Sequence, residues 1–542
     1  MDARAERLRR RTSSGYGNHT AEEAVANLSQ STNAQPNPFA DVQLVRSPLN
    51  SPDDINVLVG TWNVATRTPT PEDLKNFDLL PWLSAPVSDA SLLNLFSSSD
   101  SSEALDEFNT ADSSTSRLSA AGRSIAPDIV VLGFQELVTQ PSAIFLPHEN
   151  FVYGAAKIAV KKDAKELGGL EPWIDLATSA LNRAYGGKLT STSSPSYNPT
   201  STDTTSEENQ QEETITYEPL CLHRMTALGI LLLTRSDPYT RIKISSIRSG
   251  SIGTGLLGIY GNKGSVSISL DISLSNDPTD TSSTLPSTSK PVSFCFVNAH
   301  LGPHEGESYH DWRNEEISSI FDTLVLHPRN NRHISPRLAS NHDALWFLGD
   351  TNYRLRGAGS WKSLKSEPLA RSHVYDLIDK GDYKTLLSYD ELTYIRERLK
   401  WPSLKGFLEA PITFLPTYKH HIYHFGKLDF PSEKNKAVDL HHLPASQKHS
   451  SKRFPAYCDR ILYKANGSLR GSLSSTTPPP PTEPSQTDNE SESLLNRLDE
   501  STSATEWEDA KRFTSKAVTP LSYRTVQQMG WSDHKPVVGM WT

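Results

Sequence analysis

Short apolar runs recur along the chain, and most of them stop at a glycine or a polar pair. Residues 55–64 read as a first strand that ends at Asn63 after a glycine. Ile129–Leu132 reads as a second, followed by a glycine and the pair Gln135-Glu136. Ala227–Thr234 is a third apolar strand, and Ile242–Ile247 alternates as a fourth. Pro291–Leu301 presents Asn298 and His300 at its end. Ala344–Leu348 stops at Gly349, ahead of Asp350 and Asn352, which stand two apart and point the same way. Phe414–Lys419 is expected to end a strand in Tyr418 and Lys419. Arg453–Tyr463 gives another, with Asp459 and Arg460 near its start, and Asp533-His534 precede a last short strand within 531–542. Helical patterns are expected at Tyr309–Leu324 and in part of 375–400. Residues 74–83 read as a short helix or loop burying Phe77, Leu79, Leu80 and Trp82.

Between these elements lie polar stretches. Residues 1–50 read as a disordered tail, 97–118 as loose, and 188–214, 273–290 and 466–506 as low-complexity inserts in one domain spanning 51–542. Hydrophobic content is 36%, low enough to agree with unpacked inserts. The net charge of -9 is concentrated in one place, because Glu483–Asp509 holds nine acidic residues and one arginine. The remainder is nearly neutral and advertises no basic face for nucleic acid. Cys221, Cys295 and Cys458 sit scattered in apolar surroundings, as core thiols of a reducing compartment do. No run is long and apolar enough to span a bilayer, so a cytoplasmic protein, peripheral at membranes, is expected. The proline-rich 478–484 is a candidate docking site for a proline-motif-binding partner.

Two motifs mislead. Gly253, Gly255 and Gly258 spell a dinucleotide fingerprint, but an alternating strand follows where a helix is needed. Gly261–Gly264 lacks the G-K-[ST] of a phosphate loop, and a hairpin with Lys263 at its tip describes it better. The histidines of 420–450 are irregularly spaced and do not make a zinc site.

The strand ends share one grammar: Asn63, Glu136, Asn298, His300, Asp350, Asn352, Asp459, Asp533 and His534 all cap apolar strands. The set is rich in oxygen and has no thiolate, which suits a hard divalent ion such as Mg2+. Such an ion with two histidines and spare carboxylates fits metal-assisted attack of water on phosphorus. Each residue also has a plain alternative. Asn63 and Asn298 serve equally as strand-end caps, Glu136 as a surface acid, His300 as a core histidine, and Asp459-Arg460 as a structural ion pair.

Eight segments carry a resemblance: GTWNV (60–64), FQE (134–136), GNKG (261–264), NAHL (298–301), GDTNYR (349–354), PTYK (416–419), PAYCDRIL (455–462) and SDHKPV (532–537). In this order they resemble the inositol polyphosphate 5-phosphatases of the endonuclease/exonuclease/phosphatase superfamily. The resemblance implies an α/β, four-layered αββα sandwich of two mixed sheets packed face to face with outer helices. It implies Mg2+ bound by Glu136 with Asn63 and Asp533 close to the ion, water oriented by Asp350, and the scissile phosphate held by Asn352. It further implies His300 and His534 at the transition state, with Asp459 fixing the His534 imidazole. Tyr418, Lys419 and Arg453 would read a neighbouring 4-phosphate, while Lys263, Asn298 and Arg460 would line the substrate site. The implied substrate is a phosphoinositide lipid, phosphatidylinositol 4,5-bisphosphate above all, or a soluble inositol phosphate, with peripheral membrane contact. A nuclease or sphingomyelinase of the same superfamily is the alternative. Tyr457 stands where the family carries tryptophan, and Ser451 where it carries a lysine.

Overall fold

The computed structural model describes residues 54–67, 77–84, 126–138, 149–152, 170–188, 214–236, 242–255, 263–274, 291–329, 333–356, 368–424, 427–428, 443–466 and 504–542. The expected tail, the stretch 97–118, the proline run and all but the edges of the three inserts lie outside them.

In chain order the elements are β1 (Val57–Asn63), α1 (Leu80–Leu83), β2 (Ile129–Gln135), β3 (Glu149–Val152), α2 (Glu171–Tyr185), β4 (Gly187–Lys188), β5 (Thr214–Met225), β6 (Leu228–Ser236), β7 (Ile242–Gly253), β8 (Gly264–Leu274) and β9 (Val292–His300). There follow α3 (Glu307–Thr323), β10 (Val325–Pro328), β11 (Arg337–Leu338), β12 (Ala344–Asp350), α4 (Pro368–Lys380), α5 (Tyr383–Ser388), α6 (Glu391–Glu397) and β13 (Leu408–Glu409). The chain closes through β14 (Tyr423–His424), β15 (Lys427–Leu428), β16 (Asp459–Ala465), α7 (Ala504–Ala517), β17 (Pro520–Thr525) and β18 (Val537–Trp541).

One sheet runs β17-β18-β1-β2-β6-β5-β3, with β4 added on β5, and the other runs β11-β10-β7-β8-β9-β12-β16-β13. Both are mixed: β1 is parallel to β2, β9 is parallel to β12, and their other neighbours are antiparallel. The period of two sorts the side chains. Val57, Val59, Ile129, Val131, Ile230 and Leu232 of the first sheet meet Ile268, Phe296, Trp346 and Ile461 of the second in one buried core. The alternate residues Leu58, Trp62, Leu132 and Phe134 face outward beneath Trp173, Ala177 and Leu181 of α2. On the far side Val297, Leu345 and Phe347 are covered by Ile317, Ile320 and Phe321 of α3, with Trp507 of α7 in the same cluster. Helix, sheet, sheet, helix is the expected four-layered αββα order.

Three differences from the sequence reading have physical causes. Strand β5 was hidden because Glu218, Pro219, His223 and Arg224 interrupt its apolar pattern, and an irregularity between Pro219 and Cys221 breaks its register. Phe414–Lys419 is not a strand; Pro416 removes a donor, and in place of a ladder the stretch has the isolated bridge Tyr418↔Ala456 and single bonds such as those the Thr417 and Lys419 carbonyls accept from the Lys535 and Ser450 N–H groups. Helix α7 begins inside the expected acidic insert; Glu506, Glu508, Asp509 and Arg512 are exposed while Trp507 and Thr514, seven residues apart, are buried.

Candidate active site

Strand register assembles most of the site. His300 on β9 pairs with Asp350 on β12, and Asp350 pairs with Asp459 on β16. Residues directly opposite on neighbouring strands point to the same face, so three functional groups come side by side. That face looks across at the other sheet, where Asn63 closes β1 opposite Gln135 and Glu136 follows. His534 arrives from the turn before β18, and its carbonyl accepts a hydrogen bond from Trp62 Nε1 at 3.1 Å. Gly349 permits this closeness: a Cβ there would lie 2.0 Å from the Ala299 carbonyl oxygen.

Asp350 is the hub. Its Oδ2 accepts from Asn63 Nδ2 at 2.9 Å and lies 3.3 Å from His300 Nε2 and 3.8 Å from His534 Nε2. Its Oδ1 accepts from the Asn352 backbone N–H at 3.0 Å. His300 Nε2 is 3.7 Å from Glu136 Oε1 and touches the Lys263 ammonium. His534 Nδ1 meets Asp459 Oδ2 at 2.9 Å, and Thr417 Oγ1 donates to the same oxygen at 2.6 Å. The other oxygen of Asp459 is buried with no hydrogen-bond partner among the described residues. Glu136 and Asn352 both hold positive φ, 54° and 55°, a strained conformation for residues other than glycine.

Burial sets the protonation states as much as contact does. For Asp350 burial alone would favour the neutral acid, but His534, His300 and Lys263 hold its carboxyl well below the usual carboxylate range. His300 is pushed down by burial and by Lys263, so its ring is neutral. Burial opposes charge on His534 too, yet Asp459, Asp350 and Asp533 raise it to about 9. Burial also pushes Asp459 up. The proton of that pair stays on the imidazole, which three carboxylates surround.

The remaining expected residues divide. Tyr418 lies against the His534 ring, centroids 4.6 Å apart, and Lys419 pairs with Asp533 at the edge of the same cluster. Arg453 is half-buried in the loop before β16, and Asn352 stands two residues beyond Asp350. Lys263 is not at an exposed tip; it is 7% exposed and turned inward onto His300. Asn298 is spent between the sheets: its Nδ2 donates to the carbonyls of Phe134 and Gly229, and its Oδ1 accepts from Gln135 Nε2. Arg460 is not at the site. It follows Asp459 by one residue, so the pleat sends it to the opposite face, where it is wholly buried against Asp390 and Glu409. Thr417 went unrecognised in the sequence although it lies inside the PTYK segment, because nothing local ties a threonine to a distant aspartate.

Asp350, Asp459 and His534 offer ligand atoms within 4.8 Å of one another, a spacing that suits a metal ion. The two acids also raise the His534 pKa, which favours its protonated form. Within the trio the hydrogen bond of His534 Nδ1 to Asp459 Oδ2 orients the imidazole, with Nε2 toward Asp350. Glu136, by contrast, has a side chain 40% exposed beside the cluster, with Asn63 close by on the same sheet.

Known proteins are similar to this chain along much of its length. The family described as Endonuclease/Exonuclease/phosphatase family 2 matches residues 60–540. The chain belongs to this family. Within it, similar proteins include type I inositol polyphosphate 5-phosphatase 8 of Arabidopsis thaliana, 26% identical over 422 residues, 76% of this chain and 66% of the relative. Type IV inositol polyphosphate 5-phosphatase 3 of the same plant is 30% identical over 240 residues, 44% of this chain and 29% of its own. The type II inositol 1,4,5-trisphosphate 5-phosphatase of Mus musculus is 29% identical over 238 residues, 44% of this chain and 19% of its own. The chain thus spans less than two thirds of the length of these relatives, and of the plant type IV and mouse type II proteins less than a third. These names are those of the group that the eight segments resemble. Among solved structures, the inositol polyphosphate 5-phosphatase domain of SPsynaptojanin, in complex with inositol (1,4)-bisphosphate and calcium ion, aligns with a TM-score of 0.44 at 19% identity, over 90% of this chain and 83% of that one.

Proposed function

We propose that the protein is a metal-dependent phosphomonoesterase that removes the 5-phosphate of inositol polyphosphates and phosphoinositides, phosphatidylinositol 4,5-bisphosphate among them. The observation that carries this is the register-paired row His300, Asp350, Asp459, joined by His534 and Asn63 across the two sheets. The named relatives support the substrate class.

The protein's own residues divide the work. Asp350, ionised and held on both oxygens, orients an attacking water and receives its proton at Oδ2. His534 keeps Nδ1–H on Asp459 and offers Nε2–H to a phosphoryl oxygen, where negative charge accumulates. Neutral His300 and the amide of Asn352 hold the other phosphoryl oxygens. Lys419, with Tyr418 and Arg453, reads a neighbouring phosphate and fixes which phosphate reaches Asp350. The donor chemistry near Glu136 fits a hard cation: a half-exposed carboxylate, the Asn63 amide oxygen, and the carboxylate of Asp533 that Lys419 now neutralises. Glu136, Asn63 and Asp533 would hold Mg2+, which supplies charge neutralisation to the phosphate and Lewis acidity.

No described helix is long and apolar enough to cross a membrane. Contact with a lipid surface would therefore be peripheral. Trp312, 36% exposed and packed over Gly302 just beyond His300, is suited to it. Phosphate release from position-defined substrates, soluble and in vesicles, tests the proposal. Release of the 5-phosphate alone is expected, and equal loss of 4- and 5-phosphates would overturn the regiochemistry.

A further inference from the structure

Arg354 belongs to no role assigned so far, yet it touches two parts of the site. Its Nε donates to the Asn352 carbonyl at 3.0 Å, and its Nη2 donates to Asn352 Oδ1. The flat side of the guanidinium covers the Tyr418 ring, 4.6 Å from the centroid, and that ring in turn lies on His534. The arginine is 7% exposed, and its own backbone N–H is anchored at 2.9 Å to Glu391 Oε2, which also takes Arg313 Nη2 at 2.6 Å.

A carboxamide has an accepting end and a donating end, and only the donating end welcomes a phosphate oxygen. A guanidinium has donors alone, so it selects Oδ1 of Asn352 and turns the NH2 the other way. One hydrogen of that NH2 goes to the Leu301 carbonyl at 3.0 Å, which leaves the second to point elsewhere. The backbone of Asn352 sits at φ 55°, a conformation that needs holding, and the bond from Arg354 Nε to its carbonyl holds it. We infer that Arg354 is a positioning residue: by occupying Asn352 Oδ1 and covering Tyr418, it presents the Asn352 NH2 to the scissile phosphate. This rests on the phosphatase reading for its consequence, but not for its geometry. Lysine cannot replace it, because an ammonium has no planar fork to bond Asn352 twice while lying flat on a ring.

Two arms test this on the full chain. In the first, release of phosphate from a soluble inositol polyphosphate bearing a 5-phosphate is measured for Arg354→Met, Asn352→Ala and the double variant. Arg354→Met should lower kcat by about 100-fold, the lower end of what loss of one preorganised donor costs. In the Asn352→Ala background the same change should cost less than about threefold, because the arginine acts through that amide. Full multiplication of the two losses would overturn the inference. The second arm needs no substrate. A crystal structure of Arg354→Met should show Asn352 leaving its positive φ or releasing the Leu301 carbonyl, and an unmoved Asn352 would also overturn it. Should Arg354→Met fail to fold, Arg354→Lys keeps the charge and is expected to lose activity in the same coupled way. If the wild type releases no phosphate, the proposed reaction falls and the second arm alone decides the role of Arg354.

Discussion

Asp350 keeps its charge in a place where a solitary carboxylate would take up a proton, and it does so only because three cationic or donating side chains share its oxygens. Asp350→Asn retains the shape and removes the acceptor. It should lower kcat by about 10³-fold or more while leaving the unfolding midpoint in place, which parallel phosphate-release and urea measurements would show. Glu316 makes the opposite case. It lies on α3, 3% exposed, and its oxygens accept from Thr254 Oγ1 at 2.6 Å and the Gly302 N–H at 2.7 Å. Burial pushes it up to about 7, against 4.5 when unfolded. The folded state therefore binds more protons than the unfolded one between those values, so stability is complete below about pH 4.5 and falls as pH rises through 7. Unfolding free energies from urea titrations should drop between pH 5.5 and pH 8 by about 2 kcal/mol, and Glu316→Gln should flatten that slope. Residues such as His300, Asp350 and His534 were legible because short motifs carry them. Glu316 and Thr417 were not, because each acts through a partner dozens of residues away, and Arg354 was not, because its motif does not tell that the guanidinium turns back onto Asn352.

A strand is read most reliably where its alternation is clean, and β12 shows why. Trp346, Leu348 and Asp350 lie on one face and Leu345 and Phe347 on the other, so an apolar run ending in an acid already implied a buried strand with its acid at the rim. The same pleat decides Arg460. Substitution Arg460→Met leaves Asp390 buried without its cation and Glu409 with Arg396 as its remaining one, a loss of about 3–5 kcal/mol. Its effect should appear in the urea midpoint, with kcat and KM unchanged at temperatures where the variant stays folded. A rise in KM at full folding would instead restore Arg460 to the substrate site. Strand β5, which lacks clean alternation, was invisible for that reason, and the short apolar stretch before Pro416 was misread as a strand.

At the level of the whole molecule the two sheets have a working end and a blind end. Asn63 and Gln135 end β1 and β2; His300 and Asp350 end β9 and β12; Asp459 begins β16, and His534 shortly precedes β18. All of these meet at one pole. The three low-complexity inserts join the frame at the other. Residues 188–214 lead into the start of β5, whose far end at Met225 turns into β6 beside Phe134. Residues 275–290 connect the ends of β8 and β9 where Ile272 pairs with Val292, a full strand length from the Gly264–His300 pair at the site. Residues 467–503 follow β16 beyond Ala465, which pairs with Ala344 at the start of β12. Insert length at the blind end costs only slowly growing loop-closure entropy. Replacing 276–289 by a short glycine-asparagine turn should therefore leave kcat and KM within about twofold and move stability by less than about 1 kcal/mol. Shortening 256–262, which joins β7 to β8 beside Lys263 at the working end, should lower kcat/KM at least tenfold, as displacement of a preorganised site does. Equal effects from the two deletions in a phosphate-release assay would show that the poles are not functionally distinct.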